Sequence, residues 1–470
     1  MSERRGVIIG ALVVFLVAGG LVDRTGRHQV AASPAPPHDP VALPADGGAS
    51  TWFCPLANAQ PDAGLSADGT IVIQNTRGNA IDGLLTLYPA NGEPVTVALR
   101  APARGRLLAH ESEFITAGVV AAVVEMEQGG VAVEQTVNGP IGETTSPCST
   151  TAGDRWYVAE GSTALNQAMY LGLFNPFPED AIVDLDFATD QGRTAPGAFQ
   201  RIVVGARSVL AVSIGDHVRR RDHVAVTAVA RRGRIVVGRL QTRTAPRSGL
   251  TLALATPAPR TSWDFPDGIT GDAVSERFHI YNPTKKDATV QLALTLDQGA
   301  AEPFELKVPA GERLTLDPGS ESRIPKGVGH AATVRSNVPV VAERTLDYVA
   351  PSLRLGFSIA VGATRSARQW YLPQGGITES QEEWVVVHNR DQRAVRVSVT
   401  AVTGGQRVPL EGLTDVEIPG GQRRSFRLID VVSRPDLPMV VNATGPVVVE
   451  RVLARVGRPG LTQTMAVPVA

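Results

Sequence analysis

Cysteine is almost absent from this chain: Cys54 and Cys148 are the only two in 470 residues. That scarcity excludes a disulfide-dense miniature scaffold, and no Cys or His partners are spaced to complete a zinc site. Lysine is nearly as rare, with Lys285, Lys286, Lys307 and Lys326 standing among 45 basic residues. The net charge of −1 leaves no global field to attract nucleic acid or an anionic membrane surface. No Gly-x-Ser-x-Gly elbow, phosphate loop, dinucleotide fingerprint or His-Glu-x-x-His is present. No catalytic residue, cofactor or metal is therefore expected, and the chain reads as a non-enzyme. After residue 30 no segment holds a 3.6-residue apolar period over three turns, which argues against helices.

Tryptophan is also scarce, yet four of the five fall on one stride: Trp52, Trp156, Trp263 and Trp370, with steps of 104, 107 and 107 residues. A period this long matches a whole small domain and exceeds any solenoid repeat. Other landmarks keep the same order. Asn75, Asn175, Asn282 and Asn389 follow the tryptophans. An arginine in a small-residue turn comes next (Arg106, Arg207, Arg313, Arg423), and each copy closes near Gln135, Arg239, Arg344 or Arg451. The first copy fits worst, as terminal repeats do.

Period-two runs such as 181–189, 289–296 and 395–402 point to strands with one face inward. Gly- or Asn-containing turns near 128–130, 231–233, 336–337 and 443–445 predict a hairpin at the end of each module. The expected fold is all-β: four tandem antiparallel β-sandwich (Ig-like) repeats at 51–150, 151–258, 259–366 and 367–470. Each tryptophan is expected to anchor the first strand in the core, and each asparagine to satisfy backbone groups in a turn. The four modules are expected in a row, with packing into a ring as the alternative.

Residues 1–30 carry Arg4 and Arg5 before the apolar run 7–22, followed by a Pro/Ala-rich linker at 31–50. Two readings of the apolar run stand, an uncleaved single-pass anchor and a removed signal peptide. Both put the bulk of the chain outside the cytoplasm, the anchored form touching the membrane through its N-terminal segment only and the cleaved form being secreted. In an oxidising compartment Cys54 and Cys148 are expected to pair, the alternative being two unpaired core thiols.

The module openings WYVAEGST, WDFPDGIT and WYLPQGGIT, with the Asn-Pro pairs and the closing PVVAER or PVVVER, resemble an uncharacterised family of actinobacterial exported proteins, domain of unknown function family 5719. The resemblance covers roughly residues 50–470. It implies a secreted or anchored all-β envelope protein with no assigned activity, and it supplies no catalytic residues. Three functions follow for weighing. The first is an envelope scaffold or interaction protein whose partners are other envelope proteins. The second binds cell-wall polysaccharide through exposed indoles. The third, a hydrolase, would need carboxylates such as Asp184/Asp186 or Glu382/Glu383 to flank a cleft. The patch from His217 to His223 is the one local concentration of titratable groups, read as a solvated loop, with an anion or polysaccharide contact as the alternative.

Overall fold

A computed structural model describes residues 48–59, 68–245 and 248–469, all within one compact unit, Asp39–Ala470. The expected anchor at 1–30, and the linker at 31–50 up to residue 47, lie outside the described residues. Among those described, no helix is long and apolar enough to cross a membrane.

Module 1 sets the pattern. Its strands are β1 (Ser50–Ala57), β2 (Gly69–Asn75), β3 (Ile81–Pro89), β4 (Val95–Ala101), β5 (Gly105–His110), β6 (Val120–Met126), β7 (Val131–Gly139) and β8 (Gly142–Pro147). They form two antiparallel four-stranded sheets, β1-β6-β3-β4 and β5-β2-β7-β8. Alternation drives the layering: β3 buries Ile81, Leu85 and Leu87 and turns Asp82 and Leu84 outward. Modules 2, 3 and 4 repeat both sheets with the same neighbours.

The predicted terminal hairpins are not hairpins. Val224–Arg232 pairs with Ala181–Thr189, whereas Val236–Arg243 pairs with Gln167–Asn175, a strand of the other sheet. In modules 3 and 4 the two segments merge into single long strands, Gly329–Tyr348 and Met439–Arg455, that serve one sheet and then the other. Gly130 and Gly233 take the left-handed φ of 81° and 76° at the bend in modules 1 and 2. Both segments are apolar, however, and each buries more by joining a different sheet than by pairing with the other.

The tryptophans hold this crossing. Trp156, Trp263 and Trp370 are buried, and their Nε1–H groups donate to the carbonyls of Ile235 (2.8 Å), Val340 (2.9 Å) and Val447 (3.0 Å). Trp52 is equally buried but donates to Ser50 Oγ at 3.3 Å. The asparagines act identically in all four modules. Asn282 Nδ2 reaches the carbonyls of Lys286, Val308 and Pro309, and its Oδ1 accepts from Thr284 N. Asn75, Asn175 and Asn389 repeat the same set. One buried side chain thus ties two loops by satisfying carbonyls that would otherwise be orphaned. Cys54 and Cys148 form a disulfide that joins the start and end of module 1 across 94 residues.

The modules do not form an open row; they close into a ring. The last strand of each module lies on the axis: β8, Gly249–Leu254, Gly356–Val361 and Leu461–Met465, each touching the next and the fourth touching the first. Four equivalent bonds close the circle. Leu252 N donates to Thr144 Oγ1 (3.1 Å), Ile359 N to Thr251 Oγ1 (3.2 Å), Gln463 N to Ser358 Oγ (3.0 Å) and Thr145 N to Thr462 Oγ1 (3.0 Å). Each free strand edge is capped by a neighbour's hydroxyl, which removes the exposed edge that an isolated sandwich would carry. Module 1's core accordingly continues into Leu240, Leu250 and Leu252 of module 2 and into Tyr371, Val440 and Val467 of module 4.

Candidate functional site

The polar landmarks of the repeat converge between modules. The closing Glu-Arg dipeptide lies on a strand of the axial sheet, where alternation would send one of two neighbours outward into water. Here both point into packed interior, because the next module covers the outer face. Arg239 Nη1 donates to Glu343 Oε2 at 2.5 Å, Arg344 Nη2 to Glu450 Oε1 at 2.5 Å, and Arg451 to both oxygens of Glu134 at 2.9 and 3.0 Å. Every one of these side chains is 0–1% exposed. The same three glutamates accept backbone N–H groups across the junction: Glu160 N to Glu343, Asp267 N to Glu450 and Gln374 N to Glu134. A buried pair of this kind adds little net stability over apolar packing, yet it penalises a wrong register heavily, because an unpaired buried charge is costly.

A second set starts four residues after each tryptophan. Glu160 accepts from Arg313 at 2.9 Å, Asp267 from Arg423 at 3.1 Å, and Gln374 Oε1 from Arg106 at 2.9 Å. Arg106 also meets Asp436 at 2.8 Å, and Arg423 meets Asp297 at 2.8 Å. The turn arginines of modules 1, 3 and 4 are therefore junction residues. Arg207 does not belong with them: Arg313 stands opposite Tyr281, and the residue opposite the equivalent Phe174 is Val209. Arg207 instead occupies a left-handed loop position with φ of 51°.

The junction between modules 1 and 2 has lost both sets. Gln135 and Gly238 stand where the Arg–Glu pair would be, and Leu56 and Val209 replace the acid and the turn arginine. Pro55 and Leu56 plug the space: a Cβ on Gly172 would come within 2.7 Å of Leu56 Cβ, and one on Gly238 within 2.7 Å of Pro55 Cγ.

Between modules 2 and 3 the polar set gains two imidazoles. His223 Nδ1 lies 2.9 Å from Glu160 Oε1, and His279 Nδ1 lies 3.0 Å from Glu160 Oε2. Arg313 Nη2 also approaches His279 Nδ1 at 3.2 Å and Thr315 Oγ1 at 2.6 Å. Burial alone would raise the Glu160 carboxyl, but His279, His223 and Arg313 together hold it below the usual carboxylate range. Burial pushes the His279 imidazole down to about 4 against the pull of Glu160. Among the described residues, Glu160, His223 and His279 are the one group of three whose ligand atoms could hold a metal ion.

Two openings accompany the junctions. A largely apolar cavity of about 80 Å³ sits where the C-terminal ends of the four axial strands meet, with Pro147, Leu254, Val361 and Met465 each from a different module. A wider cleft of about 280 Å³ lies between modules 3 and 4, where Arg354 stacks on Trp384 with 4.3 Å from guanidinium carbon to ring centroid and pairs with Asp267 at 2.8 Å.

The expected site residues divide cleanly. Trp52, Trp156, Trp263, Trp370 and the four asparagines serve the interior of single modules, and the two cysteines close module 1. Of the carboxylates weighed for hydrolysis, Asp184 pairs with Arg231 at 2.5 Å and Glu382 with Arg427 at 2.8 Å, Asp186 is exposed and accepts from Gln200 Nε2 at 3.4 Å, and Glu383 is buried and accepts from Gly376 N. His223 is not merely part of a solvated patch, since it meets Glu160 and, 5.6 Å between centroids, His279. Sequence reasoning missed the acids Glu134, Glu160, Asp267, Glu343 and Glu450. Their signal was present in the opening motifs of modules 2, 3 and 4, as the acid or amide four residues past Trp, and in the Glu of the closing dipeptides of modules 1, 3 and 4.

Fold and junctions define a tandem-repeat all-β protein whose modules use one another as packing partners. The chain belongs to DUF5719, a family of unknown function that matches residues 108–350, a little over half of its length. No curated protein matches it. Among solved structures it is similar to Thermotoga maritima 1070, at 22% identity over 22% of this chain and 94% of that one, with a TM-score of 0.21. It is also similar to the Anabaena sensory rhodopsin transducer, at 27% identity over 18% of this chain and 82% of that one, with a TM-score of 0.17. A tetra-tandem repeat from the extending region of a large adhesion protein matches at 12% identity over 90% of this chain and all of that one, with a TM-score of 0.13.

Proposed function

We propose that this chain is a non-enzymatic interaction protein of the cell envelope, a rigid four-module ring held outside the membrane by its N-terminal segment. One observation carries the reading: the repeated ionisable residues are engaged between modules, in the pairs Arg239–Glu343, Arg344–Glu450 and Arg451–Glu134, and so serve assembly. A hydrolase would instead aim such groups into a cleft at a substrate bond. A closed ring also presents the loops of four modules in fixed relation, which suits binding of other envelope proteins with little ordering cost. The polysaccharide reading is given up, because it required exposed indoles and all four repeated ones are at most 1% exposed.

The test is a pulldown from envelope extract with residues 51–470 as bait, alongside assays of the purified protein on glycoside, ester and peptide substrates. A discrete envelope protein retained by the folded bait and lost on heat-unfolding it supports the proposal. Turnover of a substrate that disappears on substitution of one carboxylate would overturn it.

A further inference from the structure

The ring has three ionic junctions, and among the described residues only that of modules 2 and 3 sets two imidazoles against one carboxylate; at the junction of modules 3 and 4 a single imidazole, His388, lies 4.0 Å from Asp264. Strand register identifies the positions that correspond. His279 stands opposite Glu343, and the residues opposite the same site in modules 1, 2 and 4 are Val72, Gly172 and Val386. His223 lies five residues before the partner of the module tryptophan, where modules 1, 3 and 4 carry Val119, Gly329 and Asp436. Folding of a module thus needs neither imidazole. In module 3 the glycine at that position leaves room for Arg423 to reach Asp297, and in module 4 Asp436 itself receives Arg106. In module 2 an imidazole fills the position and a second one, from module 3, faces it across the Glu160 carboxylate.

We propose that Glu160, His223 and His279 bind one divalent transition cation of the zinc type, clasping module 2 to module 3. The three ligand atoms all lie within 4.8 Å of one another, and the two Nδ1 atoms each sit about 3 Å from a Glu160 oxygen. Four-coordinate zinc with bonds of about 2.0–2.1 Å sets its ligand atoms roughly 3.3 Å apart, so modest ring rotations complete the site. Two imidazoles and a carboxylate are the borderline donors that zinc prefers, and they leave a fourth position for water. Thr345 Oγ1, 2.9 Å from His279 Nε2, supplies the outer partner that orients the ring. The His223 side chain is 25% exposed and gives the ion a route from solvent. Arg313 is the competing cation at this carboxylate; Thr315 Oγ1, already 2.6 Å from its Nη2, receives it when the ion enters.

The test titrates the purified full chain, freed of metal by chelation, with Zn²⁺ by calorimetry and with Co²⁺ by visible absorption. The proposal expects one saturable site per chain and the intense absorption of four-coordinate cobalt. His279→Val and His223→Val install residues that sister modules carry at these positions. Each should weaken Zn²⁺ by more than the roughly hundredfold that losing an outer partner costs, while the far-ultraviolet dichroism stays native. Arg313→Gln should tighten binding by removing the competitor. No saturable binding, or binding that both histidine variants leave unchanged, overturns the assignment. Should His279→Val fail to fold, the partly exposed His223→Val decides alone. Either result leaves the interaction role untouched, because that role is read by the pulldown.

Discussion

Modules 1 and 2 meet through Pro55 and Leu56 set against Gly172 and Gly238, whereas the other three junctions meet through buried arginine–carboxylate pairs. The two kinds of contact occupy the same place in the ring. Where the charges are missing they are missing from both sides at once, Gln135 on one strand and Gly238 on the other. That is the pattern expected if an isolated buried charge is intolerable and a neutral pair is acceptable. The chain thus contains its own paired replacement, as expected if the ionic pairs specify how modules meet more than they supply the energy of meeting. The apolar junction has a further support, because Cys54, next to Pro55, is bonded to Cys148.

The comparison can be broken most forcefully at the junction of modules 3 and 4. Glu450→Leu leaves the buried Arg344 with only the more distant Glu276, 4.0 Å from its Nε, and should cost about 3–5 kcal/mol in chemical denaturation. Adding Arg344→Met should recover most of that loss. A double variant as unstable as the single would show that the charges contribute net stability. A comparable effect is expected from pH at the junction of modules 4 and 1. Burial raises the Glu383 carboxyl from 4.5 to about 8 despite the nearby Arg451, the Gly376 N–H and Arg106. Because the folded value lies above the unfolded one, stability present below about pH 4.5 is lost progressively as pH rises to about 8. At about 1.4 kcal/mol per unit this amounts to a few kcal/mol, and Glu383→Gln should flatten the slope. An unchanged slope in the variant would shift the cause to the other carboxyls that burial raises, Glu111 to about 8, Glu450 to about 7 and Asp264 to about 6.

The apolar junction should respond differently. Replacing Cys54 and Cys148 by Ala should cost about 2–5 kcal/mol, with no change in pH dependence. Loss of pH dependence along with the disulfide would mean that the two kinds of junction are not independent. The smallest effect is expected from Gly238→Ala, whose methyl would come within 2.7 Å of Pro55 Cγ; overpacking should cost about 1–3 kcal/mol, and Pro55→Ala should relieve it. No relief would mean that the glycine is needed for another reason.

Repetition was what the sequence displayed most openly. Tryptophan and asparagine periodicity revealed four β-modules, and the Asn–carbonyl network accounts for the asparagine's place in every copy. The crossing from sheet to sheet was hidden, because a Gly- or Asn-containing bend between apolar runs reads as a hairpin when strand partners are unknown. Ring closure was hidden for a related reason, since Glu343-Arg344 alternates on a strand as any half-exposed pair would. What makes both side chains interior is the next module, which local periodicity cannot register. The Glu160–His223–His279 group joins residues from three separate segments and two modules, so no spacing rule could gather it.

Coupling between the two ends of the chain tests ring closure most directly. A double-mutant cycle on Glu134→Gln and Arg451→Met, read by denaturation midpoints, joins residues 317 positions apart in sequence that meet at 2.9 Å. Closure predicts a coupling energy in the range of about 0.5–3 kcal/mol for residues in contact. Costs that simply add would mean that modules 1 and 4 do not touch and that the four sandwiches form an open row.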